Sequence, residues 1–234
     1  MRPVFSALWD SLSALRDGGL SGLALLMCCA LPRTAMAEDE PAIGRLNTAS
    51  YRTAEMCTAT LIAPDRALTA AHCVTRPEDG YLKRITDMVF VAGWDGTDHS
   101  GASRIKAVHV HPLAYSGGRF DLRHDIAVID LTEPLAPPPL NIGNAALPGP
   151  LTLMGYRRSR PHRLTVTPLC YGTETSGLWR IGCRVEPGQS GGPVLSGTGA
   201  ARRVVAVIVA VTRDEEALVV PVDGWARQQF APTR

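Results

Sequence analysis

Three short motifs contain residue types that can carry out chemistry together. They are LTAAHC at residues 68–73, HDIAV at 124–128 and PGQSGGP at 187–193, which supply a histidine, an aspartate and a serine. A serine hydroxyl is a poor nucleophile at neutral pH and needs a base within hydrogen-bond reach. An imidazole can accept and return that proton because its pKa lies near neutrality, and a buried carboxylate can fix its tautomer. The three residue types are therefore those of nucleophilic catalysis.

Each motif residue also has a simpler structural explanation. His72 could be a buried core histidine, and Ser190 could lie in an ordinary glycine-rich turn. Asp125 is the least distinctive of the three, because Asp121 and Asp130 lie close to it in the chain. We prefer Asp125 because it directly precedes an apolar run, which would bring its side chain near the core.

The order histidine, aspartate, serine and the residues around them resemble the trypsin/chymotrypsin family of serine peptidases. The resemblance extends over residues 43–225 and is to a secreted member of the bacterial type. It implies that Ser190 is the nucleophile, His72 the general base and acid, and Asp125 the orienting carboxylate. It also implies an oxyanion hole formed by the N–H groups of Gly188 and Ser190. The implied reaction hydrolyses peptide bonds of a protein or peptide substrate through an acyl-enzyme, with no cofactor and no metal.

The sequence departs from the family pattern beside the serine. Most animal members carry an aspartate there, which pairs with a new N-terminal amine, whereas Gln189 cannot form that ion pair. We therefore expect activity once the signal segment is removed, without insertion of a terminus at Ile43. Members that cleave after basic residues have an aspartate where Arg184 stands, and Glu186 is the one carboxylate nearby. Members that prefer acidic substrate residues use a histidine on the strand after the serine, and the strand predicted at 204–211 has none. We therefore predict that the specificity pocket takes a small or apolar substrate side chain.

The N-terminus is typical of a secretory signal. Basic residues precede an apolar run at residues 20–31, and the sequence AMA at 35–37 suits signal peptidase. The run is too short to span a bilayer, so we predict that residues 1–37 are removed and that a secreted or periplasmic chain starts near Glu38. An uncleaved anchor is the alternative, and a lipid attached at Cys28 fits less well because bulky Met precedes that residue.

Removal of the signal segment leaves four cysteines, Cys57, Cys73, Cys170 and Cys183. An even number in an exported chain indicates two disulfides. Three pairings are possible, and we prefer Cys57–Cys73 with Cys170–Cys183 because these close two short loops. A zinc site is the alternative, but no Cys-x-x-Cys pair or histidine cluster accompanies the cysteines.

Short β-type runs separated by turn residues make up most of the remaining chain. The 22 glycines and 18 prolines indicate many turns, and 45% hydrophobic residues indicate a globular protein. The net charge of +2, without a basic stripe, gives no reason to expect nucleic acid or a membrane surface as a partner. Strands are predicted in nine runs, at residues 57–62, 67–70, 88–92, 105–110, 126–131, 151–154, 164–169, 204–211 and 217–222.

The predicted fold is all-β, with two antiparallel six-stranded β-barrels, the active site between them and a short C-terminal helix. Residues 38–134 would form the first barrel, 135–148 a proline-rich linker, and 149–234 the second barrel and the helix. Asp223 is a candidate cap of that helix, whose Trp225 and Phe230 would face the body of the protein. We expect a monomer.

Two functional alternatives and one metal site remain open at this point. The chain could be a catalytically silent family member that works as a secreted binding protein, or an esterase with the same three residues. His109 and His111 share one face of a predicted strand and could bind a metal. We disfavour the metal because the sequence offers no evident third ligand.

Overall fold

The structure, a computed structural model, describes residues 40–50, 53–76, 78–144 and 147–230. The predicted signal segment and the expected start near Glu38 lie outside these residues. The first half contains β1 Ile43–Ser50, β2 Thr53–Ala63, β3 Arg66–Thr69, β4 Met88–Ala92, β5 Gly101–Val110, β6 Tyr115–Ser116, β7 Arg119–Phe120 and β8 Ala127–Leu131. The second half contains β9 Leu151–Arg157, β10 Arg160–Cys170, β11 Gly172–Thr175, β12 Leu178–Arg184, β13 Pro193–Ser196, β14 Arg203–Val211 and β15 Glu216–Pro221. The α-helices of the described residues are α1 Ala71–Val74 and α2 Gly224–Gln228.

The first half closes into a barrel of six antiparallel strands in the order β1-β2-β3-β8-β5-β4. Strand β4 shows why the sequence folds this way, since its side chains alternate between buried and half-buried positions as a barrel wall requires. Strands β3 and β8 pair with Thr69 opposite Ala127. This register brings the end of β3 beside the beginning of β8.

The second half forms an antiparallel sheet of seven strands in the order β10-β9-β13-β14-β15-β12-β11. It has one strand more than the six predicted, because β11 pairs with β12 as a hairpin. A single buried apolar cluster contains most of the first barrel's core together with Met154, Tyr156 and Val207 of the second sheet. The two sheets therefore pack against each other through apolar side chains, and the predicted all-β fold is confirmed.

The proline-rich segment at residues 133–140 connects the two sheets without joining either as a strand. The N–H of Leu135 donates to the carbonyl of Pro64, and that of Leu140 donates to Leu61, both in the first half. Further along, the N–H of Gly143 donates to the carbonyl of Val204 in the second half. Backbone hydrogen bonds to both halves therefore fix the path of the segment from one sheet to the other.

Helix α2 closes the described part of the chain. Asp223 Oδ1 accepts a hydrogen bond from the N–H of Ala226 at 2.8 Å, which caps the helix as the sequence predicts. Trp225 and Phe230 pack against the core. In the described ranges, no helix is long and apolar enough to cross a membrane.

Candidate active site

His72 and Asp125 come together because of the register between β3 and β8. His72 lies in the single turn of α1 that follows β3, and Asp125 lies just before β8. The two side chains meet with His72 Nδ1 at 2.6 Å from Asp125 Oδ2, and the N–H of His72 donates to Asp125 Oδ1 at 2.9 Å. Asp125 is fully buried, whereas the side chain of His72 is 29% exposed. A carboxylate on Nδ1 selects the tautomer that leaves the Nε2 lone pair available.

The other aspartates near Asp125 have different partners. Asp121 accepts hydrogen bonds from the backbone and side chain of Arg123, which hold its pKa at about 2. Asp130 binds Nε2 of His109 at 2.9 Å and lies 3.3 Å from Nε of Arg66. Of the three carboxylates considered from the sequence, Asp125 is the one that contacts His72.

The turn that carries Ser190 docks against the first barrel. The carbonyl of Ser190 accepts a hydrogen bond from the N–H of Thr58 at 2.8 Å. Gly191 has φ +81°, and a Cβ at this position would lie 2.2 Å from Thr69 Oγ1 and 3.1 Å from the amide nitrogen of Ala70. Because Ala70 is the residue before α1, the serine turn lies against the chain that leads into His72. The glycine after the serine is thus required by the close approach of the two halves.

The peptide planes of the serine turn are held by their carbonyl groups. The carbonyl of Pro187 accepts from the N–H of Arg158 at 2.7 Å, and that of Gln189 accepts from Gly192 at 2.9 Å. In a trans peptide the N–H points opposite the carbonyl, so these bonds also fix the directions of the N–H groups of Gly188 and Ser190. Among the hydrogen bonds within the described part of the chain, none uses either N–H as a donor. Both donors remain available to an external acceptor.

Gln189 is fully buried and is held by two donors. Its Oε1 accepts from the N–H of Glu186 at 2.9 Å and from Nε of Arg157 at 3.1 Å. Arg157 also pairs with Glu186 at 3.1 Å between Nη1 and Oε1. A hydrogen bond from the hydroxyl of Ser159, followed by the charges of Arg157 and Arg184, lowers the pKa of Glu186. The oxygen of the Gln189 amide thus has two donors, whereas its Nε2 is buried without a hydrogen-bond partner among the described residues.

Ile43 does not take part in this arrangement. It is the first residue of β1, where its N–H donates to the carbonyl of Glu40 at 2.9 Å and its carbonyl accepts from Gly93 at 3.0 Å. Its side chain is completely buried in the first barrel. An amine at this position would have to leave a strand before it could reach Gln189.

Four cysteines of the described residues are joined in two disulfides, Cys57–Cys73 and Cys170–Cys183. They are therefore not available as zinc ligands. The first disulfide connects β2 to α1, and Cys73 Sγ lies 3.8 Å from Nε2 of His72. The second connects the end of β10 to β12.

His109 of β5 and His111, which follows β5, contact different carboxylates. His109 binds Asp130, whereas Nε2 of His111 lies 3.0 Å from Asp223 Oδ2. Nδ1 of His111 accepts from the N–H of Leu113, so Nε2 carries the proton that it donates to Asp223. The ring of His111 stacks on His124 with centroids 4.6 Å apart and planes 12° apart. The ligand atoms of His111, His124 and Asp223 lie within 4.8 Å of one another, and Asp223 both contacts His111 and caps α2.

A groove of about 700 Å³ lies elsewhere, between the segment at residues 93–100 and β10. Its lining includes Trp94, Asp95, Arg160 and Arg163, and none of the three motif residues. Its lining contains charged groups of both signs. The groove is therefore separate from the site that the motifs define.

Two residues of the site were missed by sequence reasoning. Thr58 binds the serine turn through its backbone and its hydroxyl, and Arg157 holds Gln189. Thr58 follows Cys57 in a run of alternating strand residues, and its one local signal is a polar side chain at a buried position. Arg157 had no signal, because its partners are about thirty residues further along the chain.

Comparison with known proteins gives the family. A family model described as "Trypsin-like peptidase domain" matches residues 57–207, which is more than half of the chain. The fold is similar to a thermostable serine protease, AL20, from an extremophilic microorganism, with a TM-score of 0.71, 20% identity, and 82% of this chain and 96% of that chain covered. It is also similar to the protease Anisep from Arthrobacter nicotinovorans, with a TM-score of 0.66, 17% identity, and 77% and 90% covered. No curated protein matches the chain. Because the matched segment contains all three motifs on a fold shared with solved serine proteases, this chain belongs to the trypsin-like serine peptidase family.

Proposed function

We propose that this chain is a secreted serine endopeptidase in which Ser190, His72 and Asp125 form the catalytic triad. The contact that supports this most directly is the 2.6 Å approach of His72 Nδ1 to buried Asp125, beside the docked serine turn. An imidazole held in this way has its Nε2 lone pair ready to accept a proton. The N–H groups of Gly188 and Ser190, which have no acceptor among the described residues, are the donors for the oxyanion.

The reaction takes place in two halves. Ser190 Oγ attacks the carbonyl carbon of the substrate while His72 Nε2 takes the hydroxyl proton, and the carbonyl oxygen becomes an oxyanion. His72 then gives this proton to the leaving amine, the C–N bond breaks, and the acyl group stays on Ser190. Water attacks the ester with His72 again as base, and the peptide acid leaves as the proton returns to Ser190. Asp125 stabilises the imidazolium in both halves and stays ionised.

The substrate side chain before the cleaved bond is small or apolar in this proposal. A pocket for Lys or Arg needs a carboxylate without a partner, and Glu186 already pairs with Arg157 and Ser159. Arg184 lies near Glu215, with 3.2 Å between Nη2 and Oε1, on the exposed surface. Cleavage of a peptide library tests this specificity, and strict cleavage after Lys or Arg would contradict it.

A fluorophosphonate probe tests the proposed enzyme. The purified wild type should label, and Ser190→Ala should not label and should lose peptide hydrolysis by roughly 10⁶-fold. Ser196→Ala, at the half-buried end of β13, is the matched control and should keep both properties. An unlabelled wild type would support the alternative of a catalytically silent binding protein. Hydrolysis of esters but not of peptides would identify an esterase instead.

Secretion or periplasmic export and a monomeric state belong to the same proposal. Two disulfides support an oxidising compartment. The mature protein is expected to begin near Glu38, which N-terminal sequencing of the exported chain can verify. Because Gln189 is already held by Arg157 and Glu186, the chain 38–234 should be active without further cleavage. Activity that appears only after trimming by a second protease would contradict this part.

A further inference from the structure

Thr58 is a fully buried residue of the first barrel whose polar groups face the serine turn. Its N–H donates to the carbonyl of Ser190 at 2.8 Å. Its hydroxyl lies 2.9 Å from the carbonyl oxygen of Gly188 and 2.9 Å from the amide nitrogen of Tyr156. Three hydrogen bonds thus connect one residue of the front half to the turn and to β9 in the back half.

The direction of the two hydroxyl bonds is fixed by chemistry. The backbone nitrogen of Tyr156 can only donate, so it uses a lone pair of Thr58 Oγ1. The single hydroxyl proton is then left for the carbonyl of Gly188, which can only accept. A methyl group in place of this hydroxyl would remove its hydrogen bonds to the N–H of Tyr156 and to the buried carbonyl of Gly188.

The carbonyl of Gly188 belongs to the peptide plane that lies between the two proposed oxyanion donors. The opposite edge of the plane, the N–H of Gln189, donates to the carbonyl of Glu186 at 3.1 Å. Gly188 has φ +100° and no side chain, so the backbone itself offers little resistance to rotation of this plane. The hydroxyl of Thr58 is therefore the group that holds its carbonyl edge.

We propose that the Thr58 hydroxyl is a positioning group for the oxyanion-binding turn, which couples the barrel carrying His72 to the turn carrying Ser190. This inference rests on the proposed peptidase function and deepens it. Thr58 does not touch substrate. It acts through Gly188, so its loss lowers the stabilisation of the transition state more than the binding of the substrate.

The chain provides a matched control in Thr60. It lies on the same strand and the same face as Thr58, is 1% exposed, and its hydroxyl has no hydrogen-bond partner among the described residues. Thr60→Val removes a buried hydroxyl of the same kind from the same barrel wall. It keeps every contact of the serine turn.

The test measures kcat, KM and melting temperature for Thr58→Val, Thr58→Ser and Thr60→Val beside the wild type. Thr58→Val should lose about 10²-fold in kcat with KM within threefold, because misplacing a catalytic group by about 1 Å costs about this much. Its affinity for a peptide trifluoromethyl ketone, which forms an oxyanion, should fall by a similar factor. Thr58→Ser, which keeps the hydroxyl, should stay within fivefold of the wild type, and Thr60→Val within twofold.

A kcat of Thr58→Val within threefold of the wild type would overturn the inference while leaving the proposed function intact. Equal losses in Thr58→Ser and Thr58→Val would do the same, because the hydroxyl would not be the active group. If Thr58→Val does not fold, the smaller pair Thr58→Ser and Thr58→Ala measures the hydroxyl instead, and equal kcat values refute its role. A wild type that neither labels with fluorophosphonate nor cleaves peptides would overturn both proposals.

Discussion

The two disulfides offer a test that separates stability from activity. They close loops of similar length, with sequence separations of 16 for Cys57–Cys73 and 13 for Cys170–Cys183. Loop-closure entropy then predicts that replacing each pair by alanines lowers the free energy of unfolding by about 3.1 and about 2.9 kcal/mol, respectively. The two variants should therefore be almost equally destabilised, and both should stay folded if the parent has an ordinary stability of about 5–15 kcal/mol.

The structure predicts that their activities differ. Cys73 lies in α1 next to His72, and Cys57 precedes Thr58, which binds the serine turn. Removing this disulfide loosens both contacts at once, so we expect kcat to fall at least tenfold. The other disulfide joins β10 to β12 within one sheet, and we expect kcat within about threefold of the wild type, a range that corresponds to less than about 1 kcal/mol.

The measurements are urea unfolding for stability and steady-state peptide hydrolysis well below the unfolding transition for activity. A difference in stability above about 1.5 kcal/mol between the variants would show that native-state strain or contacts outweigh loop entropy. Equal losses of kcat would refute the argument that the Cys57–Cys73 disulfide holds the site.

Three further predictions concern single residues. Gly191→Ala places a Cβ 2.2 Å from two oxygens and should lower the free energy of unfolding in urea by about 3 kcal/mol or more. Gly199→Ala, where φ is +51° and no atom lies near the new Cβ, should lower it by about 1 kcal/mol. Lys83 donates to the carbonyl oxygens of His72 and Cys73 in α1 at 3.1 and 3.3 Å, so Lys83→Met should lower the free energy of unfolding by about 2 kcal/mol. Lys106→Met, at an exposed position, should lower it by less than about 0.5 kcal/mol. Burial lowers the pKa of His111 below 6.5, so the unfolded chain binds its proton first and stability should fall as the pH drops below 6.5. Urea unfolding at several pH values checks this, and His111→Gln should flatten the dependence.

Strands with continuous apolar runs could be predicted from the sequence. The runs at 88–92, 126–131 and 204–211 became β4, β8 and β14, because their side chains are buried on one or both faces of a sheet. The sequence did not predict β1, β6, β7, β11, β12 or β13. In β12 the side chains of Trp179, Ile181 and Cys183 alternate with exposed residues, and the pairing with β15 shifts register between Ile181 and Arg184.

The site was predictable only in part, for a similar reason. Motifs point to His72, Asp125 and Ser190 as the proposed triad because the residues around each of them are local in the sequence. Thr58 and Arg157 act through partners that are distant in the chain, such as Gly188 at a separation of 130 residues. Contacts of this range depend on how the two sheets dock, which no local pattern encodes.

The docking of the two sheets has consequences for both sides of the contact. Gly191 has no side chain because the carbonyl of Thr58 and the hydroxyl of Thr69 occupy the space where its Cβ would lie. Thr58 must be polar because the same approach buries the carbonyl of Gly188 and the N–H of Tyr156, which need partners away from water. Gly191 and Thr58, which are far apart in the chain, are thus both required by the close approach of the serine turn to the first barrel. Substitution of either residue should therefore weaken the same contact, and a double variant should lose less than the sum of the two single losses.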